Sequence, residues 1–270
     1  IVSAGPLALL PVLLLALAYW WLKPTPPQTV VLATGPAQSA YEEFGKRYQK
    51  ALAADGIQVQ LLPSEGSLHN LQLLREGRAD LAFVQGGTAV LQAQDHDELR
   101  SLGSLFVEPL WLFYRAQSAY RVHPSGRLEG LHQLGGLRVN VGTGGSGVPT
   151  LVEKLLEANR MEARALKLSR LEQTPATVAF LAGELDALVF ASAPESPMVQ
   201  MLLQTPGVRL MDFPQNEAYG RRFPFLSPVT LPRGVVDLAA NVPATDVRLV
   251  ASTTALLARE DTHPALLQLF

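Results

Sequence analysis

Two stretches of this chain share one grammar of strand, turn, helix, strand, helix, strand, and that repetition narrows the fold more than any single motif. Thr29–Thr34 (TVVLAT) is β-rich and ends in the turn signal Gly35-Pro36. Tyr41, Phe44, Tyr48 and Leu52 then recur on one helix face. Ile57–Leu62 is β-rich again. Ser67 is expected to cap a helix carrying Leu68, Leu71 and Leu74, which Gly77 closes, and Ala79–Val84 contains a short buried strand. The grammar restarts with a strand at Leu137–Val141, the run Gly142–Gly147, and a helix with Leu151, Leu155 and Leu156 on one face. A short strand is expected at Ala165–Leu168. Thr174-Pro175 reads as an N-cap with proline at the first helical position, Gly183 ends that helix, and Leu185–Phe190 contains another strand. Such alternation predicts an α/β fold, a mainly parallel sheet with helices on its faces.

The two units also rhyme in detail. Gly77-Arg78-Ala79-Asp80 precedes LAFV, and Gly183-Glu184-Leu185-Asp186 precedes ALVF. Any two β-α-β units look somewhat alike, but the match suits two similar lobes, each with its own small sheet. Leu105–Arg115 (LFVEPLWLFYR) is apolar and extended around Pro109, and Arg121–Gly136 reads as loop. Strand-like segments follow at Val208–Phe213, Phe225–Leu231 and Val247–Ala251. These place lobe 1 at 29–113 and 214–270, and lobe 2 at 114–213. Two crossings make a hinge, and a cleft between lobes is a favoured ligand site.

The first 23 residues are expected to stand apart from this fold. Ile1–Leu22 carries no charge, about the ~20 residues a membrane-spanning helix needs. Tyr19, Trp20 and Trp21 sit at its end, where aromatic rings favour the headgroup region. The reading is a single transmembrane anchor at 1–23 and a Pro-rich spacer at 24–28, with Pro24, Pro26 and Pro27 stopping the helix. A cleaved signal peptide using Ala16-Leu17-Ala18 is the rival, and a buried core helix a third reading. The chain opens on isoleucine, so preceding residues are expected.

Composition removes several chemistries. There is no cysteine, hence no disulfide scaffold and no thiolate zinc site. Net charge is -2, and no basic stripe interleaved with aromatics suggests nucleic acid. None of the five histidines pairs with another at metal-ligand spacing; Asp95-His96-Asp97-Glu98 reads as a solvated helix end. No metal and no cofactor is expected.

The candidate site residues lie in the turns. Gly142, Gly144 and Gly147 satisfy G-x-G-x-x-G, but Glu162 precedes the second strand and Glu172 is thirty residues on, which fits a dinucleotide site poorly. The more general reading is an anion cradle of helix N-terminal N–H groups with hydroxyl donors. Thr143, Gly144, Gly145 and Ser146 form it in one lobe; Gly35, Gln38 and Ser39 form its counterpart in the other. Both could equally be ordinary tight turns. Glu65, ahead of Ser67, could meet a ligand ammonium or simply be solvated. Gln85 and Ser192 end buried strands and point toward the cleft if the lobes face each other.

The order VLATGPAQSAYEEFGKRY, LPSEGSLHNLQLLREGRADLAFVQ, EPLWLFYR and LRVNVGTGGSGV resembles the TAXI group of solute receptors, which serve tripartite (TRAP) transporters, over roughly Val30 to Ala258. The resemblance implies a two-lobed, type II periplasmic-binding-protein fold with a double-crossing hinge, closing on a small organic acid or amino acid. It places ligand contacts near Gly35, Ser39, Ser67, Gln85, Gly144 and Ser146. Membrane permease subunits are the implied partners. The implied location is the cell envelope, with the globular part extracytoplasmic and tethered to the cytoplasmic membrane by the N-terminal helix. Typical members are cleaved and free, and usually continue further than Phe270. A membrane-tethered ligand sensor is the alternative, and a dinucleotide-binding enzyme the more distant one.

Overall fold

The computed structural model describes residues 11–14, 27–37, 39–87 and 98–270. The first unit consists of β1 (Thr29–Ala33), α1 (Ala40–Ala53), β2 (Gln58–Leu62), α2 (Ser67–Arg75) and β3 (Leu81–Gln85). β1 pairs in parallel with both other strands, giving the order β2-β1-β3. Side chains alternate between the two faces of the sheet, as a strand's period of two requires. Val30, Leu32, Leu81 and Phe83 pack with Tyr41 and Leu52 of α1. Ala33, Ala82 and Val84 pack with Leu73 and Leu74 of α2.

β4 (Leu99–Arg115) then runs for 17 residues. The short α3 (Ala116–Ala119) leads into β5 (Arg138–Asn140), α4 (Val148–Ala158), β6 (Lys167–Ser169), α5 (Gln173–Ala182) and β7 (Ala187–Ala191). β5 pairs in parallel with β6 and β7, so the second unit repeats the first as β6-β5-β7. α6 (Pro197–Gln204), β8 (Val208–Leu210), α7 (Asn216–Arg222), β9 (Leu226–Leu231), β10 (Val247–Arg259) and α8 (Pro264–Leu267) complete the chain. The molecule is a two-lobed α/β fold with mixed sheets.

The rhyme reaches one side chain per unit. Asp80 Oδ2 accepts from Val31 N at 2.8 Å, and Asp186 Oδ2 accepts from Arg138 N at 2.9 Å. In each lobe an aspartate just ahead of the third strand ties down the first strand.

β4 and β10 are the two strands that pass between lobes. Leu99–Pro109 pairs antiparallel with β10, while Leu110–Tyr114 pairs with β7. In β10, Thr254–Ala258 pairs with β3, whereas Val247–Ser252 pairs with β9. The crossings therefore fall near Pro109 and Ser252, not at 113 and 214. Residues 214–250, placed in lobe 1 by sequence, pack in lobe 2 instead. Tyr219, Leu226, Leu231, Val247, Leu249 and Val250 share one core with Trp111 and Phe180. Phe213 starts this, meeting Tyr219 edge-on with ring centroids 6.2 Å apart.

Three local expectations are corrected. Ser67 is the first helical residue of α2 and not its cap; Gly66, at φ 125, stands at the N-cap, and the serine hydroxyl turns inward. α5 begins at Gln173, ahead of Thr174-Pro175. β10 continues past Ala251 to Arg259. The anchor at 1–23 and the spacer at 24–28 lie largely outside the described residues; 11–14 are helical and exposed. Among the described residues no helix is long and apolar enough to cross a membrane.

Candidate functional site

The carboxyl ends of the parallel strands in both units open onto one cleft of about 250 Å³. In open α/β sheets this is where ligands bind. The loops after β1, β2, β5 and β6 build its walls, and β3, β4 and β7 contribute its floor.

On the lobe 1 wall, Ser39 caps α1, its Oγ accepting from Glu42 N at 3.3 Å. Fully buried Asn70 donates to Phe83 O at 2.8 Å and accepts from Ser64 Oγ at 2.6 Å. It thereby fixes the loop that brings Ser64, Glu65 and Gly66 to the cleft. On the lobe 2 wall, Ser146 Oγ donates to Thr143 O at 2.8 Å and accepts from Val148 N at 3.3 Å. Asn140, also fully buried, accepts from Leu171 N at 2.8 Å and from Ser169 Oγ at 3.1 Å. That anchors the turn presenting Glu172 and Gln173.

The floor is a chain of buried hydroxyls ending in a carboxyl. Gln85 N donates to Ser67 Oγ at 3.0 Å, and the Ser67 and Tyr41 hydroxyls lie 2.9 Å apart. Tyr41 OH donates to Glu108 Oε2 at 2.9 Å, and Thr254 Oγ1 donates to the same oxygen at 2.5 Å. Gln85 Nε2 is bonded to Ser252 Oγ. Burial pushes the Glu108 carboxyl above its ordinary range, against the hydrogen bonds from Thr254 and Tyr41 that pull it down. Burial, reinforced by the nearby Glu108 charge, holds the Tyr41 phenol well above its usual value, so it remains a donor.

The lobes touch at two places. Gly145 N donates to Glu65 Oε2 at 3.2 Å. Glycine is required there, since a Cβ would come within 2.7 Å of the Glu65 side chain. A Cβ on Gly66 would likewise meet Ser146 Cα at 3.0 Å. Elsewhere Lys154 Nζ donates to Gly87 O at 2.6 Å and lies 5.1 Å from the centre of the Phe225 ring.

Of the residues singled out by sequence, Ser39, Glu65, Gln85, Thr143, Ser146 and Ser192 line the cleft. Gly35 sits behind Ser39, and Ser67 lies beneath the floor. Gly144 and Gly145 are in the adjoining turn without lining it, and Gln38 lies outside the described residues. Sequence reasoning missed Tyr41, Glu108, Asn140 and Thr254. One signal pointed to Glu108, the lone charge in the apolar run Leu105–Phe113. Charge also departs from an anion cradle. Glu65, Glu108 and Glu172 line the cleft, and no lysine, arginine or histidine does among the described residues. Among those residues no group of three acidic or histidine side chains could hold a metal; positions 95–97 lie outside them.

Residues 32–267 match the profile of the NMT1-like family. A search of curated proteins finds no match. Solved structures share the fold at low identity. The alkanesulfonate-binding protein SsuA from Xanthomonas axonopodis, bound to MOPS, is 18% identical with a TM-score of 0.50, over 69% of this chain and 61% of that one. This chain therefore spans less than two thirds of that protein. An amino acid ABC transporter substrate-binding protein, AbpA from Streptococcus pneumoniae, bound to L-arginine, is 15% identical with a TM-score of 0.54, over 90% and 85%. The regulatory domain of CcmR from Synechocystis, in complex with 2-PG, is 14% identical with a TM-score of 0.54, over 89% and 92%. These likenesses establish a two-lobed, periplasmic-binding-protein-like fold.

Proposed function

The chain belongs to the NMT1-like family, and on that premise we propose that it is an extracytoplasmic solute-binding protein and not an enzyme. It captures a small organic acid or amino acid between its lobes and presents the closed form to a membrane permease. The finer reading is a TAXI-type receptor of a TRAP transporter, tethered to the cytoplasmic membrane by its N-terminal segment. The observation that carries the proposal is the cleft itself. It lies where the carboxyl ends of two parallel sheets converge, with β4 and β10 as the crossing strands of a hinge. A ligand that binds both walls favours closure by its differential affinity for the closed form. The volume of about 250 Å³ is at the small end of ligand pockets and suits a solute of amino-acid size better than a dinucleotide.

A membrane-tethered sensor is the second reading. It is favoured by one observation, that a regulatory domain shares the fold as fully as the transporter substrate-binding protein does.

A thermal-shift screen of the chain against amino acids, organic acids, amines and nucleotides tests the proposal. A true ligand at 100 times its Kd adds about 2.7 kcal/mol of stability, a clear rise in Tm. Hits confined to nucleotides would move the assignment to an enzyme. Recovery of a kinase or cyclase with the chain from membranes, in place of a multi-span permease, would favour the sensor.

A further inference from the structure

We propose that the ligand carries a cationic nitrogen, and that Glu108 on the cleft floor is the group that receives it. The inference rests on the solute-binding reading and names the chemistry of that same site.

Glu108 is 4% exposed, yet it lines the cleft. Both of its hydroxyl donors, Tyr41 and Thr254, converge on Oε2. Oε1 accepts nothing from the described residues. Among them no fully buried side-chain oxygen or nitrogen is left without a partner, so Oε1 keeps some accessible surface, on a residue that lines the cleft. A carboxylate oxygen so placed needs a donor, and a charged donor suits it best.

The described residues supply no such donor. The described lining residues include two further carboxylates, Glu65 and Glu172, and no cationic side chain. Lys154, a cation set between the lobes, does not line the cleft and is committed to Gly87 O and the Phe225 ring. A purely anionic solute would face three acids with no counter-charge. An ammonium on the ligand instead neutralises the floor, and the turns at Ser39 and at Thr143–Ser146 remain for its polar or acidic end. The tyrosine–serine–glutamine chain behind Glu108 fixes the carboxyl plane, so the nitrogen is read in one position.

Calorimetric titration of the full chain with matched pairs tests this. The pairs are L-alanine with L-lactate, L-leucine with 2-hydroxyisocaproate, and putrescine with 1,4-butanediol. Each pair differs in its nitrogen alone. The expected result is that for at least one pair the nitrogen-bearing member binds about 100-fold or more tighter. Glu108→Gln, similar in size, erases that preference. The wild-type ratio stands whether or not the variant folds. Equal or tighter binding by the oxygen analogue overturns the inference and leaves the solute-binding reading intact. Silence from both members of every pair overturns the two together.

Discussion

Asp186→Ala is expected to cost about 3 kcal/mol, read as a lower urea midpoint with an unchanged slope. The Asp186 side chain is 2% exposed. Oδ2 accepts from Arg138 N at 2.9 Å and Arg138 Nε at 3.0 Å; Oδ1 accepts from Ser118 Oγ at 2.7 Å and Arg138 Nη2 at 2.9 Å, and pairs with Arg121. Alanine strands a strand N–H and a buried hydroxyl, although both arginines can regain water. Burial alone would raise this carboxyl. The Arg138 side chain and backbone, Ser118 and the Arg121 charge outweigh it and hold the group well below the usual carboxylate range. The sign follows from that direction. The stabilisation is complete above the unfolded value of about 4 and fades as pH falls toward the folded value. The gap between wild type and Asp186→Ala therefore narrows in acid. A constant gap across that range would show that charge contributes nothing there.

Trp111→Ala is expected to lose about 3–5 kcal/mol. The indole is fully buried in the lobe 2 half of β4, stacked on Phe113 at 6.1 Å, and Nε1 donates to Ser192 O at 2.9 Å. Removing it opens a cavity and frees the carbonyl of a cleft-lining residue. Trp111→Phe separates the two effects. It refills most of the space but leaves Ser192 O unpaired, for about 1–2 kcal/mol. Denaturant titration of both variants checks the order. A phenylalanine as costly as alanine would make the hydrogen bond, and not the ring volume, the dominant contribution.

The tandem architecture was legible because β-α-β units write their period into local sequence. Tyr41, Leu52, Leu155 and Leu156 are all buried as their spacing predicts. Where sequence reasoning reached the cleft lining it did so through local signals, as at Ser39, Thr143 and Ser146. Ser67 was misread because its hydroxyl answers to Tyr41 and Gln85, 26 and 18 residues away, contacts that no cap motif encodes. The Glu108–Thr254 bond joins positions 146 residues apart, so nothing in either neighbourhood announces it. The far half of β10 was missed for a related reason. Ser252, Thr253 and Thr254 interrupt its apolar run, and Ser252 and Thr254 are the polar side chains that β10 sends to the cleft floor. The boundary set at 214 follows the end of the strand-like segment Val208–Phe213, but Phe213 packs with Tyr219 and with β9 and β10 residues in one core, which no local signal encodes.

Small-angle scattering of the chain with and without a saturating ligand from the thermal-shift screen tests the central claim most directly. Lobes that close about β4 and β10 predict a smaller radius of gyration in the bound form, with the contacts Glu65–Gly145 and Lys154–Gly87 made. An unchanged scattering profile at proven saturation would contradict closure on a captured solute.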